Sequence, residues 1–332
     1  MDNSSRTTQS YPPSANFHLW EPCNMRCRFC FATFQDVKQT VLPRGHLPRD
    51  QALAVVERLA DVGFEKITFA GGEPTLCPWL GELVMRAKER GLTTMLVTNG
   101  SRILSPGWLE QHGVNLDWVV LSIDSVDPRT HERMGRSIAG QVGRALPVAH
   151  YRAIATTLRT KKVRLKVNTV VTKENASEDM SDLLLELRPE RWKVLQVLPV
   201  RGQNNGRVEP LLIDELTFRR FVSRHQRVAE SGVQIVPEDN EAMTGSYAMV
   251  DPAGRFFDNT ASQHRYSRPI LDVGADAAWQ DIRFDSQRFT QRGGHYDWGE
   301  PHTSNLVQVQ RARWDRKRSG YHGISQKQHM CR

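Results

Sequence analysis

Hydrophobic and polar positions along this chain alternate between short apolar runs and longer amphipathic stretches. The runs Asn16–Trp20, Lys66–Ala70, Leu92–Val97, Trp118–Ile123, Lys162–Val171 and Trp192–Leu198 are rich in branched and aromatic residues and read as strands. Between them, Pro48–Val62 spaces Ala52, Val55, Val56 and Leu59 for one helical face. Trp79–Arg90 stops at Gly91, a suitable C-cap, and Ser177–Leu187 gives a further helix. Six βα-type units in about 200 residues predict parallel strands joined by crossover helices, in an α/β barrel or a doubly wound sheet. After Gly202 the rhythm changes. A helix is expected over Asp214–Val228, short strands near Val233–Val236, Tyr247–Val250 and Arg255–Phe257, and an ordered but loop-rich stretch from Arg265 to Trp298. The domain reading is therefore a disordered 1–15, a core over 16–202, an extension over 203–298 and a mobile tail over 299–332.

Composition narrows the class. The 332 residues are 39% hydrophobic, with 23 glycines, which is ordinary for a globular protein. The net charge is +8, but Gly299–Arg332 carries seven Lys/Arg against two Asp/Glu. The remaining body is close to neutral, so no stable nucleic-acid binding is expected. No run approaches the ~18–20 apolar residues of a membrane span, and the polar N-terminus has no apolar signal-peptide core. No membrane attachment and a cytoplasmic location are the expectation. Three of the five cysteines fall within Cys23–Cys30, which in a reducing compartment points to metal rather than disulfides.

Cys23, Cys27 and Cys30 are spaced C-x3-C-x2-C. Three thiolates on one loop suit three irons of a 4Fe-4S cube and leave the fourth iron open, as a catalytic cluster requires. A zinc knuckle is the competing reading, but structural zinc commonly takes four ligands in two pairs. Cys77 and Cys331 are isolated. Gly71-Gly72-Glu73-Pro74 follows the second strand, Thr98-Asn99-Gly100 the third and Ser122-Ile123-Asp124-Ser125 the fourth. With Phe29 before the last cysteine, these motifs in this order resemble the radical S-adenosylmethionine (SAM) superfamily. Within it the chain is similar to the viperin family over nearly all of Phe17–Trp298. The stretches that carry this are Lys66–Pro74, Lys166-Val167-Asn168-Thr169, Arg191–Gln196, Glu178-Asp179-Met180, Val236-Pro237-Glu238, Ile270–Gly274 and Arg292–Tyr296. His295 stands where the animal motif has lysine, and there is no N-terminal amphipathic helix, as in a prokaryotic member.

The resemblance implies a partial (βα)6 TIM-like barrel of the radical SAM type with a C-terminal α+β extension. It implies a 4Fe-4S cluster on Cys23, Cys27 and Cys30, and S-adenosyl-L-methionine held by Phe29, Gly71, Gly72, Glu73, Asn99 and Ser122. The implied reaction removes the ribose 4′ hydrogen of a nucleoside triphosphate and dehydrates it to a 3′-deoxy-3′,4′-didehydro nucleotide, a chain terminator in antiviral defence. Tyr247 corresponds to the family's proton donor to the leaving hydroxyl. Independently, Lys166 with Asn168 and Arg191 with Lys193 lie two apart on strands, each pair on one face, as a cationic triphosphate rim needs. By resemblance Lys66, Arg136, Arg268 and Arg292 complete the substrate site. The implied partners are the nucleotide and an electron donor such as a flavodoxin or ferredoxin, with the enzyme a monomer. Two other functions compete. A peptide-modifying radical enzyme usually adds a cysteine-rich C-terminal region, which is missing here, and an RNA-modifying one fits the tail but not the near-neutral body. A non-catalytic metal-binding sensor leaves the GGEP, KVNT and RWK stretches unexplained.

Overall fold

Strands separated by helices cannot pair as hairpins, so consecutive strands run parallel with a crossover between each pair. The computed structural model describes residues 11–139 and 145–299 and has this arrangement. Strands β1 (Ser14–Trp20), β2 (Lys66–Gly71), β3 (Thr93–Thr98), β4 (Trp118–Ser122), β5 (Arg164–Val171), β6 (Arg191–Gln196) and β7 (Gln234–Glu238) pair in sequence, all parallel. On the free side of β1, β8 (Ala248–Val250) adds a further parallel strand. β9 (Arg255–Asp258) and β10 (Arg265–Pro269) then continue antiparallel. The order β10-β9-β8-β1-β2-β3-β4-β5-β6-β7 is an open arc, a partial barrel of the expected type. The segment after residue 202 extends this same sheet at both ends.

Alternation along the strands separates two environments. On β5, Val167 and Val171 join the core between sheet and helices, while Lys166 and Asn168 turn to the inner face. The helices supply matching apolar stripes. Arg49–Asp61 buries Ala52, Leu53, Val55, Val56 and Leu59, and Leu80–Glu89 buries Leu80, Leu83, Val84 and Ala87. The core therefore lies outside the strands, and the inner face is left for polar groups.

Several elements differ from the sequence reading. Val148–Thr160 is the crossover between β4 and β5, where the pattern gave no helix; Tyr151, Ile154, Ala155 and Leu158 form its stripe, interrupted in sequence by Thr and Arg. The expected helix over Asp214–Val228 breaks at His225, whose buried ring accepts from Met180 N at 2.9 Å and bonds the Phe221 carbonyl at 2.7 Å. The stretch from Arg265, expected to be loop-rich, holds β10 and the short helices Ile270–Val273, Ala275–Trp279 and Ser286–Gln291. Disorder was expected over 1–15, but Tyr11 packs on Phe64 and Trp279 and donates to Asp276, and β1 begins at Ser14. Residues 1–10 and the basic tail beyond Gly299 lie outside the described residues.

The cysteine loop depends on a brace from residues 134–138. Arg26 N donates to Gly135 O at 3.2 Å, Arg28 N to Met134 O at 2.9 Å, and Met25 bridges Ile138. Gly135 sits at φ +75°, and a Cβ there would strike the Arg26 carbonyl. Gly232, at φ +94°, has open space around it. Gly135→Ala should therefore cost more than Gly232→Ala, by about 1–3 kcal/mol of overpacking. Urea midpoints of the two variants test this; equal losses would show that the brace is not tightly packed.

Candidate active site

Cys23, Cys27 and Cys30 leave the end of β1 on one loop, none in a disulfide. Burial pushes the Cys23 thiol up to about 11 and Cys27 to about 12, and raises Cys30; the Arg136 charge opposes this at all three. Such thiols stay protonated unless a bound cation stabilises the thiolates. Among the described residues no three Cys, His or carboxylate side chains are close enough to hold one metal ion. Three thiols on one loop suit a polynuclear cluster, which takes one thiolate per iron. Cys77 is buried away from the cavity, and Cys331 lies outside the described residues.

The loop forms one wall of a cavity of about 710 Å³ inside the arc. Gly71, Gly72, Glu73, Asn99 and Ser122 line it at the C-terminal ends of β2, β3 and β4, with Phe29 beside them. A Cβ on Gly72 would run into the carbonyls of Glu21 and Pro22, so this backbone approaches the cysteine loop closely. Glu73 is buried. Its Oε1 accepts from Thr75 N at 3.1 Å and from the Thr75 and Thr98 hydroxyls, and its Oε2 from Asn99 N at 2.8 Å. The carboxylate thus ties the glycine turn to the end of β3, and only Oε2 retains room for another donor.

Arg136, expected in the substrate site, lines the cavity on the cysteine side, where it pairs with buried Asp124, which also accepts from Val170 N at 2.8 Å, and lies 5.8 Å from the Phe29 ring centroid. Arg268 is a clearer correction. It is 57% exposed, pairs with Asp281 at 2.8 Å and does not line the cavity. On edge strand β10 alternation buries Ser267 and sends Arg268 outward.

The opposite end of the cavity is cationic. Lys66 opens β2 and Arg191 opens β6, while Lys166 and Lys193 stand two residues into β5 and β6. Lys66 and Gly71 bound β2, so five residues, or roughly 16 Å, separate the two ends. Lys66, Lys166, Arg191, Lys193 and Arg292 are all buried. Lys66 donates to Tyr296 OH at 2.9 Å and lies 4.4 and 4.5 Å from the Tyr296 and Trp298 ring centroids. Arg191 stacks on Tyr296 at 4.1 Å and donates to Gly293 O and Gln234. Burial, then repulsion from Lys193 and Arg191, drives Lys66 and Lys166 well below the usual lysine range; burial brings Lys193 to about 8. Tyr247 donates to Glu238 and accepts from Lys193 at 2.8 Å. Asn168 Oδ1 and Arg191 Nε are buried without a partner.

Sequence reasoning gave no role to Glu238, Tyr296, Asp124, Asn16 or His18, which all line the cavity or its ion pairs. Alternation on β1 puts Asn16 and His18 on one face, and on β7 it pairs Glu238 with Val236. Those were the available signals, although nothing in them says which face turns inward.

Residues 20–187 match the family model described as Radical SAM superfamily. An S-adenosylmethionine-dependent nucleotide dehydratase from Flammeovirga pacifica is 50% identical over 286 residues, covering 86% of this chain and 96% of the relative. One of the same name from Lacinutrix mariniflava is 48% identical over 89% of this chain, which spans only 60% of that relative's length. A Danio rerio nucleotide dehydratase is 33% identical over 89% and 81% of the two chains. Among solved structures, Streptococcus suis SuiB bound to S-adenosylmethionine has a TM-score of 0.62 at 15% identity, covering 87% of this chain and 69% of the other. Native anSMEcpe with bound AdoMet gives 0.60 at 16%, covering 84% and 82%. At such low identity these two establish the fold alone. The family model and the relatives matched along most of their length place this chain in the radical SAM superfamily, among its viperin-like S-adenosylmethionine-dependent nucleotide dehydratases.

Proposed function

We propose that this chain dehydrates a ribonucleoside triphosphate (CTP, UTP or GTP) to its 3′-deoxy-3′,4′-didehydro form. The observation that carries the triphosphate is the charge at the deep end. Five buried cations, Lys66, Lys166, Arg191, Lys193 and Arg292, face one buried carboxylate, Glu238. With all five protonated the excess is about four positive charges, which a bound polyanion of similar charge offsets. A triphosphate supplies it; a monophosphate does not.

A 4Fe-4S cluster on Cys23, Cys27 and Cys30 with SAM would supply a 5′-deoxyadenosyl radical that takes the ribose 4′ hydrogen. The chain's own residues position the substrate and exclude water. Lys66, Lys166 and Arg191 hold the phosphates, and Asn168 reaches the nucleotide between them and the glycine turn. Phe29, Gly71, Gly72, Asn99 and Ser122 bound the SAM side, with Glu73 fixing the turn and Arg136 beside it. Tyr247, driven well above its usual 10 by burial, keeps its proton at neutral pH and gives it to the departing 3′ hydroxyl, which leaves as water. One electron from outside completes the 3′,4′ double bond. Turnover therefore draws on a one-electron donor of the flavodoxin or ferredoxin class. A reducing cytoplasm suits three unbridged thiols, and we read the enzyme as a monomer there. Among the described residues no helix is long and apolar enough to cross a membrane. The product lacks a 3′ hydroxyl, so a polymerase that incorporates it cannot extend, which is the antiviral logic of the family.

Cys23→Ala, Cys27→Ala and Cys30→Ala should each lose iron and all SAM cleavage, and Cys77→Ala should keep both. Iron content and visible absorption decide this, and colour loss confined to Cys77→Ala would overturn the ligand set.

Lys166→Ala should lower kcat/KM for the triphosphate about ten- to a hundredfold through loss of one charge-assisted contact, roughly 1.5–3 kcal/mol. It should also erode the preference over monophosphate while leaving substrate-independent SAM cleavage intact. A parent enzyme that ignores all four ribonucleotides in an anaerobic assay would end the nucleotide reading.

The depressed lysines give a signed pH effect. Lys66 and Lys166 face Lys193, Arg191, Arg292 and a single carboxylate, so in the free protein their ammonium forms are disfavoured. A bound polyanion restores them, and binding takes up protons. Affinity should fall as pH rises from 7 to 9, by up to tenfold per unit for each proton. Calorimetry in buffers of different ionisation enthalpy measures the uptake; proton release would contradict the assignment.

A further inference from the structure

Glu238 is the only carboxylate among the described residues that pairs with this cation cluster, and it divides the cations into two groups. Its Oε1 accepts from Lys193 Nζ at 2.6 Å and from Arg292 Nη1 at 3.3 Å, and its Oε2 from the Tyr247 hydroxyl. Lys193 also donates to the Tyr247 oxygen at 2.8 Å, and the Arg292 guanidinium lies 3.7 Å from the Tyr247 ring centroid. These partners come from separate places: β6, the residue before β8, and the end of helix Ser286–Gln291. Lys66, Lys166 and Arg191, by contrast, form no ion pair with any described carboxylate. Glu238 itself is fully buried at the end of β7, an edge strand that tolerates Pro237.

We propose that Glu238 is a positioning residue for proton delivery. Resting on the dehydration reading above, it assigns Lys66, Lys166 and Arg191 to phosphate binding, and Lys193 and Arg292 chiefly to the phenol of Tyr247. Glu238 and Lys193 hold the Tyr247 oxygen in place beside the two cations. As the C3′–O bond breaks, the hydroxyl turns away from Glu238, the phenol proton passes to the leaving oxygen and water departs. The phenolate that remains lies against Lys193 and Arg292, and the one-electron donor supplies the electron that closes the C3′–C4′ double bond. Without Glu238 the two cations repel each other, the phenol loses its acceptor, and the proton is delivered late or not at all.

The test uses the iron-loaded enzyme under anaerobic conditions with CTP, UTP and GTP. Glu238→Gln keeps the shape and removes the charge; Glu238→Asp keeps the charge. For Glu238→Gln, product formed per 5′-deoxyadenosine should fall at least tenfold, while iron content and triphosphate affinity by calorimetry stay at or above the parent's, since a negative charge has left the site. Glu238→Asp should recover part of the coupling. Tyr247→Phe should uncouple equally, and the double variant should be no worse than either single one. Coupling unchanged in Glu238→Gln, or triphosphate affinity lost together with turnover, would overturn the positioning role. So would additive losses in the double variant, which also decide the matter if Glu238→Gln folds poorly and Glu238→Asp must stand in. A parent that makes no product from any triphosphate would instead remove the underlying reading.

Discussion

Most of the cavity's architecture follows from the cost of holding like charges together away from water. Five buried cations share one carboxylate, and three of them, Lys66, Lys166 and Arg191, have none as a direct partner. The resting protein tolerates this by partial means. Lys66 rests on the faces of Tyr296 and Trp298, Arg191 on Tyr296 with the Gly293 carbonyl, and Arg292 on Ser246 and the Tyr247 ring. Aromatic faces and carbonyls soften a buried charge without cancelling it. The site is therefore prepared for an anion, and the segment Arg292–Trp298 is shaped by the same need, because its rings pack against the starts of β2, β4 and β6.

The parallel sheet explains why this charge sits where it does. Strands that all point one way give the arc two chemically different ends. Loops at the C-terminal ends bring the cysteines, the Gly71-Gly72 turn, Asn99 and Ser122 to one wall. Strand starts bring Lys66 and Arg191 to the other, roughly 16 Å away. In the proposed reaction this separation lets the phosphates bind at depth with the sugar between them and the cysteine loop. Glu73 and Asp124 serve the cysteine wall, and Glu238, level with Leu195 on β6, ties together Lys193, Arg292 and Tyr247. Each is a buried carboxylate that spends its lone pairs fixing neighbours, Glu73 the glycine turn and Asp124 the Arg136 side chain and the β5 backbone.

The sequence by itself determined the class of fold, and all of its candidate site residues but Arg268 line the cavity. Apolar runs of strand length separated by amphipathic helices predict parallel strands in a barrel or a doubly wound sheet, and the family resemblance selects the partial barrel. The period of two along β5 and β6 puts Lys166 with Asn168 and Arg191 with Lys193. Three cysteines on one loop, the GGEP turn and the polar strand ends are local and therefore legible. Tertiary structure decided what locality cannot carry. The Val148–Thr160 crossover is specified by the need to bury one stripe against β4 and β5, not by its mixed composition. Arg268 and Arg292 are both arginines given to the substrate site by resemblance, yet an edge strand sends one to Asp281 and solvent, and a helix end drives the other onto Glu238. Glu238 itself, a single acid after a proline, acquires meaning only when β6, β7, β8 and the last helix meet. Pairing across such long separations depends on which face each strand turns inward, and only packing fixes that.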